Sequence, residues 1–245
     1  MSPGTSWQNG HEMTVKKSGQ LVVITVAAGF WLGGCASTNL DTTANVSKTY
    51  ELGGTIAKSP AMAAPAKVVR HNLQLLVNEP SASRSLDGDR VVVHHQSGEI
   101  SFLAGASWSD RLPVLVQSRL IQALSASERF RAISNGRDKV NAEISLSASL
   151  QAFQVDLTPA GSVARVALQA KLVNERSGDV LASRILSATQ PVVGKTPGDH
   201  VTAINQAFAT AAGDLVNWAG NVPIKVRKGP DSTRVVVGSV KPKSR

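Results

Sequence analysis

Between residues 142 and 191 the chain offers three long strand candidates in immediate succession: 142–156, 162–174 and Val180–Pro191. Gly161 separates the first two and Ser177-Gly178-Asp179 the second two. Connections this short cannot carry a strand across to a parallel partner. They return the chain beside itself, so the three must form an antiparallel meander. The rest of the sequence is read around that sheet. His71–Val77 places Leu73, Leu75 and Val77 on one face at strand spacing. A first short strand is expected near Tyr50, a loop over 80–88, and a β-branched strand over Arg90–His94 opened by the turn sequence Asp87-Gly88-Asp89. Shorter strands are expected over 99–103 and 130–133.

Two helical stripes complete the pattern. Leu112, Leu115, Val116, Leu120 and Leu124 recur at helical spacing, with Pro113 tolerated in the first turn. Ser109 is expected to cap this helix, and Asp110 to complement its positive end. Val201, Ile204, Phe208, Ala211, Leu215 and Trp218 make the second stripe, starting near Gly198 and ended by Pro223. The order strands, helix, strands, helix predicts an α+β domain: a mostly antiparallel sheet with two amphipathic helices packed on one face. Aromatics are only 4% of the chain, so its core must be built mainly of Val, Leu, Ile and Ala.

The N-terminus has a different character. Lys16 and Lys17 precede an uncharged apolar run over 21–32. Twelve residues fall short of the roughly 20 that a spanning helix needs, and fit the apolar region of a secretory signal. The run ends in Leu32-Gly33-Gly34-Cys35, which resembles a lipobox: an apolar residue, two small ones that let a peptidase take the chain as an extended strand, and the thiol that receives the lipid. Cys35 is the only cysteine, so no intramolecular disulfide can form. Residues 1–34 therefore read as a lipoprotein signal, with Met13 a better start than Met1, and 35–47 as the lipidated cysteine and a polar tether. The sole attached group expected is the diacylglycerol and N-acyl chain on Cys35. Each buried CH₂ contributes about 0.8 kcal/mol, so several acyl chains hold a protein at a membrane where one would not. Ala36, rather than an aspartate, follows the cysteine, and by the enterobacterial sorting rule this favours the periplasmic face of the outer membrane.

The net charge of +9 suits an anionic lipid surface or an acidic partner; an exported chain meets little nucleic acid. The last segment, 221–245, reads as a basic tail with seven cations against Asp231. No phosphate-binding G-x-x-x-x-G-K-[ST] loop, G-x-S-x-G elbow or S-x-x-K pair is present. His94 and His95 are adjacent on a strand, which would send them to opposite faces. Asp87 and Asp89 flank a turn glycine without the further ligands of a calcium loop. Trp108 and Trp218, each at a helix end, fit the seam between helix and sheet.

Across residues 48–220 the chain resembles the ABC-type transport auxiliary lipoproteins, partners of MCE-type and paraquat-inducible-type lipid transport systems. The resemblance rests on Tyr50 and Leu52 near the mature start and on Asp89-Arg90-Val91-Val92. It rests above all on Trp108-x-Asp110-x-Leu112-Pro113, with Trp218 closing an alanine-rich last helix. Where the family often carries paired aromatics before that tryptophan, this chain has only Phe102. The resemblance implies no enzyme and no metal, but a docking component anchored by lipid, with an MCE-domain protein as partner and a homo-oligomer compatible with the role. The alternatives are a lipid-anchored periplasmic enzyme or another envelope-assembly accessory lipoprotein.

Overall fold

The structure, a computed structural model, describes residues 47–53, 69–136 and 141–224. The signal with Leu32, Gly33, Gly34 and Cys35, residues 54–68 and 137–140, and most of the basic tail lie outside the described residues. The elements in chain order are β1 (Lys48–Tyr50), β2 (His71–Val77), β3 (Ser81–Ala82), β4 (Arg90–His94), β5 (Ile100–Trp108), α1 (Leu112–Ala126), β6 (Phe130–Ser134), β7 (Ile144–Thr158), β8 (Gly161–Asn174), β9 (Val180–Pro191) and α2 (Pro197–Asn221).

The expected meander is present: β7 pairs antiparallel with β8 and β8 with β9. β7 is the spine of the sheet. Its second edge takes three short strands in succession, all parallel to it: β2 at Ile144–Leu146, β3 at Ser149–Leu150 and β4 at Gln154–Asp156. β6 then adds parallel to β2, and β5 antiparallel to β4 with β1 parallel beyond it. The α+β class and the two-helix face are as the sequence implies, in a nine-stranded mixed sheet. The parallel pairings bring together segments far apart in the chain, and no local turn signals them. β5 also runs on to Trp108, past the expected end at 103, and the loop over 80–88 contains the two-residue β3.

One register shift sets the core. Leu150 pairs with Leu168 but Ala152 with Ala167, so Gln151 is an unpaired extra residue, a β-bulge. Strand side chains alternate between faces, and one extra residue reverses the alternation. Before the bulge Ile144, Leu146 and Leu150 point inward; after it Phe153 and Val155 do. Opposite them β8 keeps an unbroken inward row, Ala164, Val166, Leu168, Ala170 and Leu172, each fully buried. The bulge lets one bent strand keep a continuous apolar face under both helices.

Both helices cover that face and touch each other. α1 buries Leu112, Pro113, Val116, Leu120 and Leu124, with Leu115 partly covered. Its N-cap is Arg111, with no side-chain cap, rather than Ser109. Asp110 accepts from Arg111 N–H at 2.6 Å and does not sit in the first turn. The expected cap fails because β5 continues to Trp108, which leaves Ser109 bound to a strand: its N–H donates to Tyr50 O at 2.8 Å. α2 is capped by Thr196, one residue before Pro197. Thr196 Oγ1 accepts from Asp199 N–H at 3.3 Å, and Thr196 N–H donates to Asp199 Oδ2 at 2.8 Å. This reciprocal box satisfies two donors at once. The thread from Ala203 and Ala207 to Ala211, Ala212 and Ala219 is small and buried, so α2 lies close on the sheet. α2 extends to Asn221, so the tail begins later than residue 221. No described helix is long and apolar enough to cross a membrane.

Candidate functional site

Seven of the motif residues meet at one corner. β1 lies parallel to the end of β5 with Tyr50 opposite Trp108. The turn that opens β4 then stitches the strand end to the helix start: Trp108 N–H donates to Asp89 O at 2.6 Å and Leu112 N–H to Gly88 O at 2.9 Å. The first N–H groups of a helix have no partner within it. Gly88 O supplies one for Leu112, and Pro113, at the start of α1, has no N–H to satisfy. Asp89 thus acts through its carbonyl. Arg111 ties the same turn from outside, bonding Asp87 through Nε at 3.1 Å and Glu79 through Nη1 at 3.1 Å. The Asp87 hydrogen bond and charge raise Arg111 above its ordinary value, so it is charged at every working pH.

Beneath the corner is a chain of rings. Trp108, 2% exposed, meets Phe153 edge-on at 6.0 Å, and Phe153 tilts against Phe208 of α2 at 5.7 Å. Leu52 and Leu112 are buried beside it. Tyr50 is half-buried, its hydroxyl close enough to the start of α2 that a Cβ on Gly198 would lie 3.4 Å from it. Arg90 places its guanidinium 3.5 Å from the centre of the Phe102 ring, a cation–π contact, so the single remaining aromatic before Trp108 holds an arginine. The Trp-x-Asp-x-Leu-Pro signature is therefore a structural joint between strand, turn and helix. Trp218 is not part of it. It is half-buried near the far end of α2, about 30 Å along the helix from Gly198.

A polar group lies on the other face of the sheet, around Asp156. Asp156 accepts from Arg165 Nε at 2.6 Å and from Gln154 Nε2 at 2.7 Å, and His94 Nδ1 stands 4.0 Å away. His95 bonds Ser101 Oγ at 2.7 Å. With Leu157 and Thr158 these residues line an open depression of about 340 Å³. β4 ends at His94, so His95 lies in the following turn and the two histidines share this depression instead of facing apart. Among the described residues no three His, Cys, Asp or Glu side chains are grouped to hold a metal ion. Gln154, Asp156 and Arg165 were not singled out from the sequence. The tight turn before Gly161 was the available signal, since it sets Gln154 opposite Arg165 and Asp156 one diagonal away.

Residues 54–216 match the family described as the ABC-type transport auxiliary lipoprotein component. The chain belongs to this family. An uncharacterized protein of Bradyrhizobium diazoefficiens is 28% identical over 173 residues, which are 69% of this chain and 44% of that protein, so the chain spans less than half the length of this curated relative. The crystal structure of a Xanthomonas campestris protein superposes with a TM-score of 0.59 at 25% identity, covering 64% of this chain and 87% of that one. A second crystal structure, of an uncharacterized protein, shares the fold at 14% identity with a TM-score of 0.52, over 63% of this chain and 96% of that one. Family membership agrees with the resemblance drawn from the sequence; Tyr50 and Trp218 lie outside the matched residues.

Proposed function

We infer that this member of the auxiliary lipoprotein family serves an ABC-type system that moves lipid through an MCE-type conduit. In this reading it is the non-catalytic component that docks the conduit at the periplasmic face of the outer membrane. The observation that carries the reading is the family match over 54–216, on a chain whose Leu32-Gly33-Gly34-Cys35 segment has the form of a lipidation site. The lipid on Cys35 supplies attachment, Ala36 favours the outer membrane, and the folded domain supplies the contact surface. The signature residues around Trp108 support it by their use: they hold the joint between β5 and α1. The basic residues of the tail add attraction for anionic headgroups, about 1 kcal/mol for each Lys or Arg near such a surface.

The test is affinity purification of the full-length lipoprotein from detergent-solubilised envelopes, with membrane fractions separated by density. The reading expects an MCE-domain protein, a permease and an ATPase to copurify, and the lipoprotein to band with the outer membrane. Recovery in the inner-membrane band without any of the three would overturn it.

A further inference from the structure

Four strands of the sheet, β1, β3, β6 and β9, have an unpaired side among the described residues, and they differ in how that side is protected; β3 has only two residues. β1 has three residues and carries Lys48. β6 has five and carries Arg131, paired to Glu143 at 3.1 Å. Short length and charge are the usual means by which proteins keep a strand edge from pairing with another chain. β9 has twelve residues and bonds only β8.

The phase of its hydrogen bonds is fixed by one contact. Val192 N–H donates to Ser162 O at 2.9 Å, in line with the register Ala164↔Gln190, Val166↔Ala188 and Leu168↔Leu186. In an antiparallel ladder, hydrogen-bonded and non-bonded pairs alternate. The even-numbered residues of β9 therefore bond β8, and the odd-numbered Ser183, Ile185, Ser187 and Thr189 turn their N–H and C=O groups to the open side. All four are exposed, none is charged, and Ile185 is 63% exposed. The charge on the strand, Arg184, is at an even position and so on the side chain row of the helix face. Pro191, which would block pairing, comes only at the end.

We propose that β9 is a self-association edge: a second copy of this chain adds its own β9 antiparallel, joining two sheets about a twofold axis near Ile185 and Leu186. The sequence is self-complementary in that arrangement. With the axis at Leu186, Ile185 faces the partner copy's Ser187 and Ser183 its Thr189. The two Arg184 side chains then stand four residues out of step, about 13 Å apart along the strand. With the axis at Ile185 the two isoleucines face each other. Either register pairs uncharged odd residues with uncharged odd residues, and an interface of this kind is closed by its own symmetry. A different protein would need to offer an unpaired strand of matching length; a second copy brings one by construction.

The experiment uses the full lipoprotein in its own membranes. Ile185→Cys is treated with a short bismaleimide, and the parent chain with Cys35 alone is the blank. Both registers place the two positions within about 8 Å, counted between Cα atoms. The expected result is a product of twice the chain's mass. It should be lost when Ser187→Pro is added, because that N–H points to the open side and takes no part in the β8 ladder. Should Ser187→Pro lower the melting temperature, Ser183→Lys with Thr189→Lys replaces it, setting like charges along the seam, and the same loss is expected. Val193→Cys, 85% exposed but beyond the strand, should react with maleimide and stay monomeric. The proposal is overturned by the absence of a double-mass product. It is equally overturned by a product that persists in the seam variants, or by equal crosslinking through Val193→Cys. A product that forms only after residues 225–245 are deleted would assign the edge to the chain's own terminus and also overturn it.

Discussion

Trp108→Ala removes the largest side chain at the corner where β1, β5, the 87–89 turn and α1 meet. The indole is 2% exposed, it meets Phe153 edge-on at 6.0 Å, and Phe153 in turn contacts Phe208 of α2. The gap would lie under a helix start and a strand end tied by hydrogen bonds to Asp89 O and Gly88 O, so the surroundings have little freedom to close it. Full truncation of a buried tryptophan costs about 3–5 kcal/mol when the site cannot collapse. For a domain of this size each kcal/mol lowers the melting temperature by about 2–4 °C, so the expected drop is about 6–20 °C. Urea unfolding followed by far-UV circular dichroism measures it, with Trp108→Phe as an intermediate case. Transport should fail only as far as the folded fraction falls. A Trp108→Ala protein within about 0.5 kcal/mol of the parent that still loses transport would refute the reasoning, and would make Trp108 a contact residue.

Inserting one alanine between Gln151 and Ala152 should reverse the alternation once more and turn one half of β7 over, taking Phe153 and Val155 off the core face; two large side chains at about 1.5–3 kcal/mol each give a loss of about 3–6 kcal/mol in urea unfolding. Gln151→Ala, which keeps the residue count, should stay within about 0.5 kcal/mol, and equal effects from both changes would disprove the bulge argument. Thr196→Ala should cost about 1 kcal/mol by removing the cap of α2. The Thr196 side-chain hydrogen bond, then its backbone, hold Asp199 below its ordinary value. The stabilisation this brings is present above the unfolded aspartate range and is lost as pH falls through the folded value, so acid melts of parent and Thr196→Ala should converge. Cys35→Ser should leave an uncleaved precursor that takes up no labelled palmitate, and equal labelling of the variant would end the lipoprotein reading.

What the sequence showed depended on how locally each feature was encoded. The meander was legible because Gly161 and Ser177-Gly178-Asp179 leave no room for any other path, and both helices because their apolar stripes are regular. The parallel docking of β2, β3 and β4 along β7 was not, since it is decided by packing between distant segments. The reversal of faces at Gln151 was hidden for a related reason: the sequence offers 142–156 as one strand, but only the register against β8 shows that an extra residue puts the apolar residues of both halves on one face. The cap of α1 was misplaced because Ser109 and Asp110 have the chemistry of a cap, while the length of β5 decides where the helix can begin. The signature around Trp108 was visible as a pattern; its use as a joint required the carbonyls of Gly88 and Asp89, which no side-chain pattern records. The cluster around Asp156 could have been found by counting back from the turn before Gly161.

The central claim is that the anchored domain docks an MCE-type conduit and performs no reaction of its own. Its most direct test is binding of the purified full-length lipoprotein, in nanodiscs, to the MCE-domain protein of the same cell, measured by interferometry. The account predicts saturable binding that survives His94→Ala and Asp156→Asn, because it assigns no chemistry to that depression. No binding at any attainable concentration, together with turnover of an envelope substrate that these two substitutions abolish, would contradict it.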